Sequence, residues 1–273
     1  MRLSNRPHLL PSHRGAAWVG LGFRLFHQQP LVWFMTMMSY WLILVLVSSL
    51  PLLGIAVSMA LSQILAFGLV ALAEAVDQSN PQQPPTPARL FAGFLMGREV
   101  LFRLIQLGLL YGALLGLLLL ISIGLDGGAP EAPSAPPDSP EEAIAQIRAQ
   151  FPGSLLLLGL LYVPILMAFW YAPQLVAWQQ LPPIKALFFS FVAVWLNKGA
   201  FLRYGLLWLA VLLAASLVLG LVISAVGLGS SAMVMAVLPL SLLLMAIGHA
   251  SAYVSTREVL GAQTVEPPTP DPA

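Results

Sequence analysis

From Leu25 to Ala73 the chain holds no Asp, Glu, Lys or Arg. A stretch like that is not a soluble loop. At about 20 apolar residues per bilayer crossing, it supplies two crossings and the turn between them. Ser48-Ser49-Leu50-Pro51 reads as that turn, tight and uncharged. The rest of the chain agrees, since 59% of its 273 residues are hydrophobic and 8% charged, against about 25% charged in a soluble domain. The sequence predicts an all-α membrane protein with no soluble catalytic domain. It has no cysteine, which excludes disulfides, thiolate metal sites and a cysteine nucleophile.

Six spans fit the apolar pattern, at about 31–50, 52–73, 104–125, 154–171, 204–226 and 233–254. They form a single transmembrane helical domain over 1–260, followed by a disordered tail over 261–273. Residues 1–14 read as polar, basic and loose, and the apolar stretch after Arg24 is too long for a signal-peptide core, so the first span stays as an anchor. Asp77 to Pro87 is rich in helix breakers. The acidic loop 126–152 begins disordered, and Ser139-Pro140-Glu141-Glu142 then predicts a capped short helix to about Gln150. Its Ile144, Ile147 and Phe151 would rest on the membrane surface. Pro164 should kink the fourth span and Pro173 disturb it again. Trp170, Tyr171 and Trp178 read as boundary aromatics.

Pro182 to Tyr204 is different. It is too apolar for a loop, yet the piece between Pro183 and Gly199 is too short to cross, which makes it an interfacial, re-entrant or buried helix. At 100° per residue Ala186, Ser190, Ala193 and Asn197 share one narrow face suited to close packing. Ala16 to Gln29 and Arg89 to Arg103 are further short interfacial segments. The junctions His27-Gln28-Gln29-Pro30, Gly97-Arg98-Glu99 and Asn197-Lys198-Gly199 each lead into two spans, which suggests a three-fold internal repeat of short helix plus two spans.

Charge gives the orientation. With both termini cytoplasmic, eleven of the twelve Lys and Arg residues fall inside and only Arg148 outside, as the positive-inside rule requires.

Gly54, Ser58, Ser62 and Ala66 recur every four residues, a small-residue seam for helix packing. Gly108, Gly112 and Gly116 form another, serving either a dimerisation or pore-lining face or contacts within the chain. His249 is the single histidine inside a span. An intramembrane ionisable group is a functional candidate, and a hydrogen-bonded packing histidine is the alternative. Gln63 and Gln106 should bond across helices, and Glu74 and Asp77 should be the solvated end of the second span. No catalytic, metal-binding, nucleic-acid or cofactor motif is present, and no acidic residue lies within a span. Arg24, Arg98, Arg103, Lys185, Lys198 and Arg203, with Asn197, lie beside aromatic helices at the cytoplasmic face. They would bind anionic headgroups at about 1 kcal/mol per basic residue, or simply obey the orientation rule.

Pro182-Pro183-x-Lys185-x-Leu187-Phe188-Phe189-Ser190-Phe191, then Trp195-x-Asn197-Lys198-Gly199-Ala200-Phe201 and Tyr204-Gly205, resemble a family of uncharacterised betaproteobacterial multi-pass inner-membrane proteins. Trp18 with Gly22, Gln29-Pro30, Leu90-Phe91-Ala92-Gly93-Phe94 and Trp170-Tyr171-Ala172-Pro173 extend the likeness over most of the chain. The resemblance implies location and architecture and carries no activity.

The leading expectation is a non-enzymatic inner-membrane protein that organises lipid, another membrane protein or a second copy of itself. The alternative is a secondary transporter or channel for a small solute. A polar cavity reaching the midplane separates them, because a scaffold should be packed dry. An intramembrane enzyme would need His249 to meet a carboxylate such as Glu258 or Glu74.

Overall fold

A computed structural model describes residues 3–4, 6–79, 85–126, 141, 154–227 and 230–261. Helix α1 (Arg14–Gln28) is short, α2 (Pro30–Ser48) and α3 (Gly54–Asp77) are long, and a 3₁₀ helix (Pro87–Leu95) follows. Then come α4 (Arg98–Asp126), α5 (Ser154–Phe169), α6 (Ala172–Gln179), α7 (Pro183–Leu196), α8 (Lys198–Ala225) and α9 (Ser230–Leu260). Six stretches are long and apolar enough to cross a membrane: Pro30–Ser48, Gly54–Asp77, Arg98–Leu125, Leu157–Gln179, Lys198–Ala225 and Met235–Leu260. The only β pairing among the described residues is a bridge between Leu3 and Gly261. The capped helix expected up to Gln150 (Glu141 apart), Arg148 and the tail beyond Gly261 lie outside the described residues.

The spans differ from expectation at their ends, for local reasons. Arg98–Arg103 and Lys198–Arg203 are the first turns of α4 and α8 rather than parts of the short helices. Gly97, at φ +94°, turns the chain just before Arg98, and no Gly or Pro follows for several residues to interrupt α4. The second span starts at Gly54 because Leu52 takes a left-handed φ of 68° in the hairpin turn. The fourth span is broken at Trp170-Tyr171 and continues as α6. Pro173 has no N–H to offer the Phe169 carbonyl, and its ring crowds that turn. Ser190 of α7 repairs the break: its hydroxyl donates to the Met167 carbonyl at 2.8 Å and accepts from the Tyr171 N–H at 2.9 Å.

Residues 3–4 and 6–10 are a strap, not a loose end. The N–H groups of Ser4 and His8 donate to the carbonyls of Leu260 and Val259 at 2.7 and 2.8 Å. Leu10 N–H donates to Asn197 Oδ1 at 2.9 Å, and Asn197 Nδ2 donates to the carbonyls of His8 and Ala193 at 3.0 and 2.9 Å. Gln179 reaches in to the Ser4 carbonyl at 3.0 Å. One segment thus joins the end of α9, the α7–α8 junction and the end of α6.

The short helices pack in rotation. The 3₁₀ helix lies on α3, α7 on α5, and α1 on α9 and the start of α8. Glycine permits the close approaches. A methyl on Gly68 would stand 1.9 Å from the Leu90 carbonyl oxygen, and one on Gly22 2.5 Å from Ser251 Cβ.

These contacts make the bundle asymmetric. Burial is dense at the end carrying the short helices: Trp33 and Met37 of α2, Leu65 to Ala73 of α3, Leu104 of α4, Tyr204 of α8 and Ala246 to Val254 of α9. At the far end Val45, Leu46, Ile55, Leu119, Leu120 and Leu238 are exposed. Past Tyr204, no residue of α8 is buried. The helices are sealed together at one end and part toward the other.

Candidate functional site

Six aromatic side chains form the floor where the helices part. Trp18 meets Phe201 and Tyr204 edge-on at 5.2 and 5.8 Å between ring centres, and Trp170 meets the same pair at 5.5 and 5.7 Å. Tyr171 packs on Phe201 at 6.1 Å and Trp208 on Tyr204 at 6.4 Å. Edge-to-face geometry sets the positive rim of one ring on the negative face of the next.

Helix α9 holds the polar tips of this layer. Ser251, Ser255 and Glu258 recur at i, i+4 and i+7 and so share one face. Ser251 gives its own proton to the Gly248 carbonyl at 2.7 Å, so the Tyr204 hydroxyl donates to it, at 2.8 Å. Trp170 Nε1 and the Tyr171 hydroxyl donate to Ser255 at 3.2 and 3.3 Å, and Trp18 Nε1 donates to Glu258 at 2.9 Å. Glu258 also pairs with Arg14. That hydrogen bond raises the Arg14 guanidinium above its ordinary pKa, keeping it charged.

Above the floor lies a chamber of about 740 Å³. Every spanning segment contributes to its wall: Tyr40 of α2, Ser62 and Gln63 of α3, Tyr111 of α4, Tyr162 of α5 with Gln174 of α6, Trp208 of α8 and His249 of α9. Most of the wall is apolar, and among the described residues no Asp, Glu, Lys or Arg lines it. The hydroxyls of Tyr111 and Tyr162 bond at 3.1 Å. His249 Nδ1 donates to the Met245 carbonyl at 2.9 Å, and the ring lies 6.3 Å from that of Tyr40. In the neutral ring that bond selects the tautomer with Nε2 as acceptor. Gln174 is 4% exposed, and its Oε1 is buried with no donor among the described residues. Trp208 Nε1 is likewise buried, with the Tyr204 hydroxyl nearby but no well-formed hydrogen bond among the described residues, and Gln63 makes no hydrogen bond among the described residues. A buried polar atom left unpaired costs about 1–3 kcal/mol, and Gln174 Oε1 lies beside the chamber while Trp33 Nε1, also unpaired among the described residues, lies away from its wall.

The sequence candidates are distributed as follows. His249 and Gln63 both reach the chamber. Gln106 is exposed on the outside of α4 instead of bonding across helices. Glu258 is held by Arg14 and Trp18, and Asp77 by Arg257 at 2.7 Å and Tyr253 at 2.9 Å. Asp77 is therefore a tie between α3 and α9, not a merely solvated helix end. Gly108 and Gly112 dock on Met59 and Ala60 of α3, within the chain, while a methyl on Gly116 would meet nothing within 4 Å. Gly54 packs on the Val47 carbonyl in the hairpin turn and Ser58 bonds its own helix at Ile55, so only Ser62 and Ala66 of that seam face the chamber.

Among the surface candidates, Asn197 is a correction. It is buried and its amide is engaged on both sides within the chain, so it does not belong with the cations. Arg103 bonds Glu99 and the Gln180 carbonyl, and Lys198 sits 4.9 Å over the Trp195 ring. Arg24, Arg98, Lys185 and Arg203 are exposed and make no ion pair among the described residues. Tyr171 is buried in the floor, with Trp170 and Trp178 half-buried. Sequence reasoning missed Gln174, Ser251, Ser255 and the aromatic floor itself. The i, i+4 spacing of the two serines was the available signal.

No family model and no solved structure matches the chain. A probable inner membrane protein of Burkholderia thailandensis is 35% identical over 264 residues, which cover 94% of this chain and 93% of that protein. The chain belongs to the same family of inner-membrane proteins.

Proposed function

We propose, from membership in that inner-membrane family, that the protein crosses the membrane several times with both ends cytoplasmic and takes a small molecule into its central chamber. It would act as a transporter or channel for a small solute, and not as an enzyme. The chamber carries this reading: a wall drawn from six spans over a sealed floor is the opposite of the dry packing a scaffold would have. Pockets of about 300–1,000 Å³ with an apolar wall and a few fixed polar groups are typical of small-molecule sites. Among the described residues no carboxylate lines the chamber with His249, which favours binding over acid-base chemistry.

Because the chain has no cysteine, single substitutions test access cleanly. Ser241→Cys lies on the chamber wall toward the parted end, and Ala250→Cys lies buried at the sealed end. A membrane-impermeant maleimide added outside intact cells should label the first and not the second. Failure to label Ser241→Cys in the folded protein would remove the open chamber.

The rotational packing of the short helices favours the three-fold repeat, since each unit's short helix lies on the second span of another unit. A second role, lipid binding at the cytoplasmic face, is favoured by Arg24, Arg98, Lys185 and Arg203, which stand near exposed Phe23, Phe102, Phe188 and Leu202. Changing Lys185, Lys198 and Arg203 together to Gln should weaken binding to anionic vesicles, and unchanged binding would reduce these residues to orientation signals.

A further inference from the structure

One wall of the chamber is not joined. Among the described residues α9 packs on α2 and α3, α3 on α2 and α4, and α4 on α5, while α8 packs on α9 and forms no such interface with α5. Resting on the chamber being a binding site, we infer that it is loaded sideways from the bilayer through this seam, and that its ligand is the hydrocarbon chain of a membrane lipid.

Three observations lead there. First, the seam lies along the spans and not at their ends. The end of α5 and the start of α8 are brought together at the floor, where Trp170 meets Phe201 and Tyr204, and the two helices part above it. Tyr162 and Leu212 are both on the chamber wall. At about 1.5 Å per residue they stand roughly 10–12 Å along their helices from Phe169 and Tyr204. With a hydrocarbon layer of about 30 Å, a side opening at that height gives onto lipid chains and not onto water. Second, nothing among the described residues covers the seam from outside. Past Tyr204 no residue of α8 is buried, and Leu166 of α5 and Leu212 of α8, which line the chamber, are 40% and 47% exposed. Third, the two edges of the seam offer little to water. From Leu157 to Phe169 only the Tyr162 side chain can donate a hydrogen bond, and from Gly205 to Val222 only those of Trp208 and Ser216. A water held in a cleft needs about two to four polar partners, whereas a lipid chain needs none and gains dispersion contacts along the cleft. The lipid's polar head would stay at the parted end, near Ser241 and water.

The full chain provides the test, in nanodiscs of phosphatidylethanolamine and phosphatidylglycerol in which some of the phosphatidylethanolamine carries a diazirine midway along one acyl chain. Irradiation should leave adducts on Tyr40 and Gln63 of the chamber wall as well as on Leu42 and Leu109, which are exposed on α2 and α4. Leu212→Trp, which puts a larger side chain into the seam, should remove the adducts on Tyr40 and Gln63 and leave those on Leu42 and Leu109. Adducts on Leu42 and Leu109 with none on Tyr40 or Gln63 in the unsubstituted protein would overturn the lipid chain as ligand, and that comparison needs no variant to fold. Adducts on Tyr40 and Gln63 that persist in folded Leu212→Trp would overturn the seam as the entrance. Maleimide labelling of Ser241→Cys in the same nanodiscs separates these failures from that of the chamber. Labelling there without adducts on Tyr40 or Gln63 would leave a wet chamber and remove only the lipid, whereas the absence of both signals would remove the chamber reading as well.

Discussion

At the scale of single residues, this bundle is decided by where side chains are missing. Glycines that look alike in the sequence have opposite consequences. A Cβ on Gly68 would overlap the Leu90 carbonyl, and one on Gly22 the backbone of Ser251, whereas Gly20 and Gly116 have nothing within 4 Å. Backbone cannot give way as a flexible side chain can. Gly68→Ala and Gly22→Ala should therefore destabilise by about 1–3 kcal/mol, as overpacking does. Gly116→Ala should be neutral or gain up to about 1 kcal/mol from helix propensity. Thermal unfolding in one detergent checks the order, and a Gly116→Ala loss as large as that of Gly68→Ala would show that the seam is used between chains. The seam of Gly108, Gly112 and Gly116 was legible as a seam. That its third member meets nothing was not, because spacing gives the face of a helix and not what lies against it. The polar residues divide similarly. Gln63 and Gln106 read alike in sequence, yet one reaches the chamber and the other is exposed on the outside of α4.

At the scale of elements, the short helices were the most readable part and the N-terminal segment the least. The narrow face of Ala186, Ser190, Ala193 and Asn197 is the one that α7 buries, because small side chains at helical spacing leave a groove that only close packing fills. The segment before α1 is polar and basic, which ordinarily means loose. Its order comes from partners far along the chain, Val259 to Gly261 and Asn197, and no local pattern announces them. Asn197 is the hinge of that arrangement. Asn197→Ala would remove the acceptor for Leu10 N–H and the donor to the His8 carbonyl, a loss of about 1–3 kcal/mol. Hydrogen exchange should locate the effect: the amides of Ser4, His8 and Leu10 should exchange faster while those of α3 stay protected. If exchange at Leu10 is unchanged, the strap is held by its pairing to the end of α9 alone. The aromatic floor was illegible for a related reason. Trp and Tyr serve membrane boundaries and buried cores equally well, and only Ser251 and Ser255, supplied by another helix, make Trp170 and Tyr171 part of a core.

For the whole molecule, charge and shape run along one axis. Among the described residues the helix-borne cations, from Arg14 and Arg24 through Arg98, Arg103, Lys198 and Arg203 to Arg257, belong to the short helices, the first turns of α4 and α8 or the last turn of α9. That is the sealed end. In the proposed orientation, the one that satisfies the positive-inside rule, it faces the cytoplasm and the chamber should open on the opposite side. The chamber itself has no sequence signature, since its wall is drawn from six separate spans, two of which give it one residue each; its direction does have one, in the charge count. Two substitutions read the direction without relying on the chamber. Ser134→Cys, in the acidic loop, should react with an impermeant maleimide on intact cells, and Gln82→Cys only after the membrane is opened. The reverse pattern would turn the molecule over: the chamber would then face the cytoplasm, a solute would enter from within the cell, and Ser241→Cys would become accessible from that side alone.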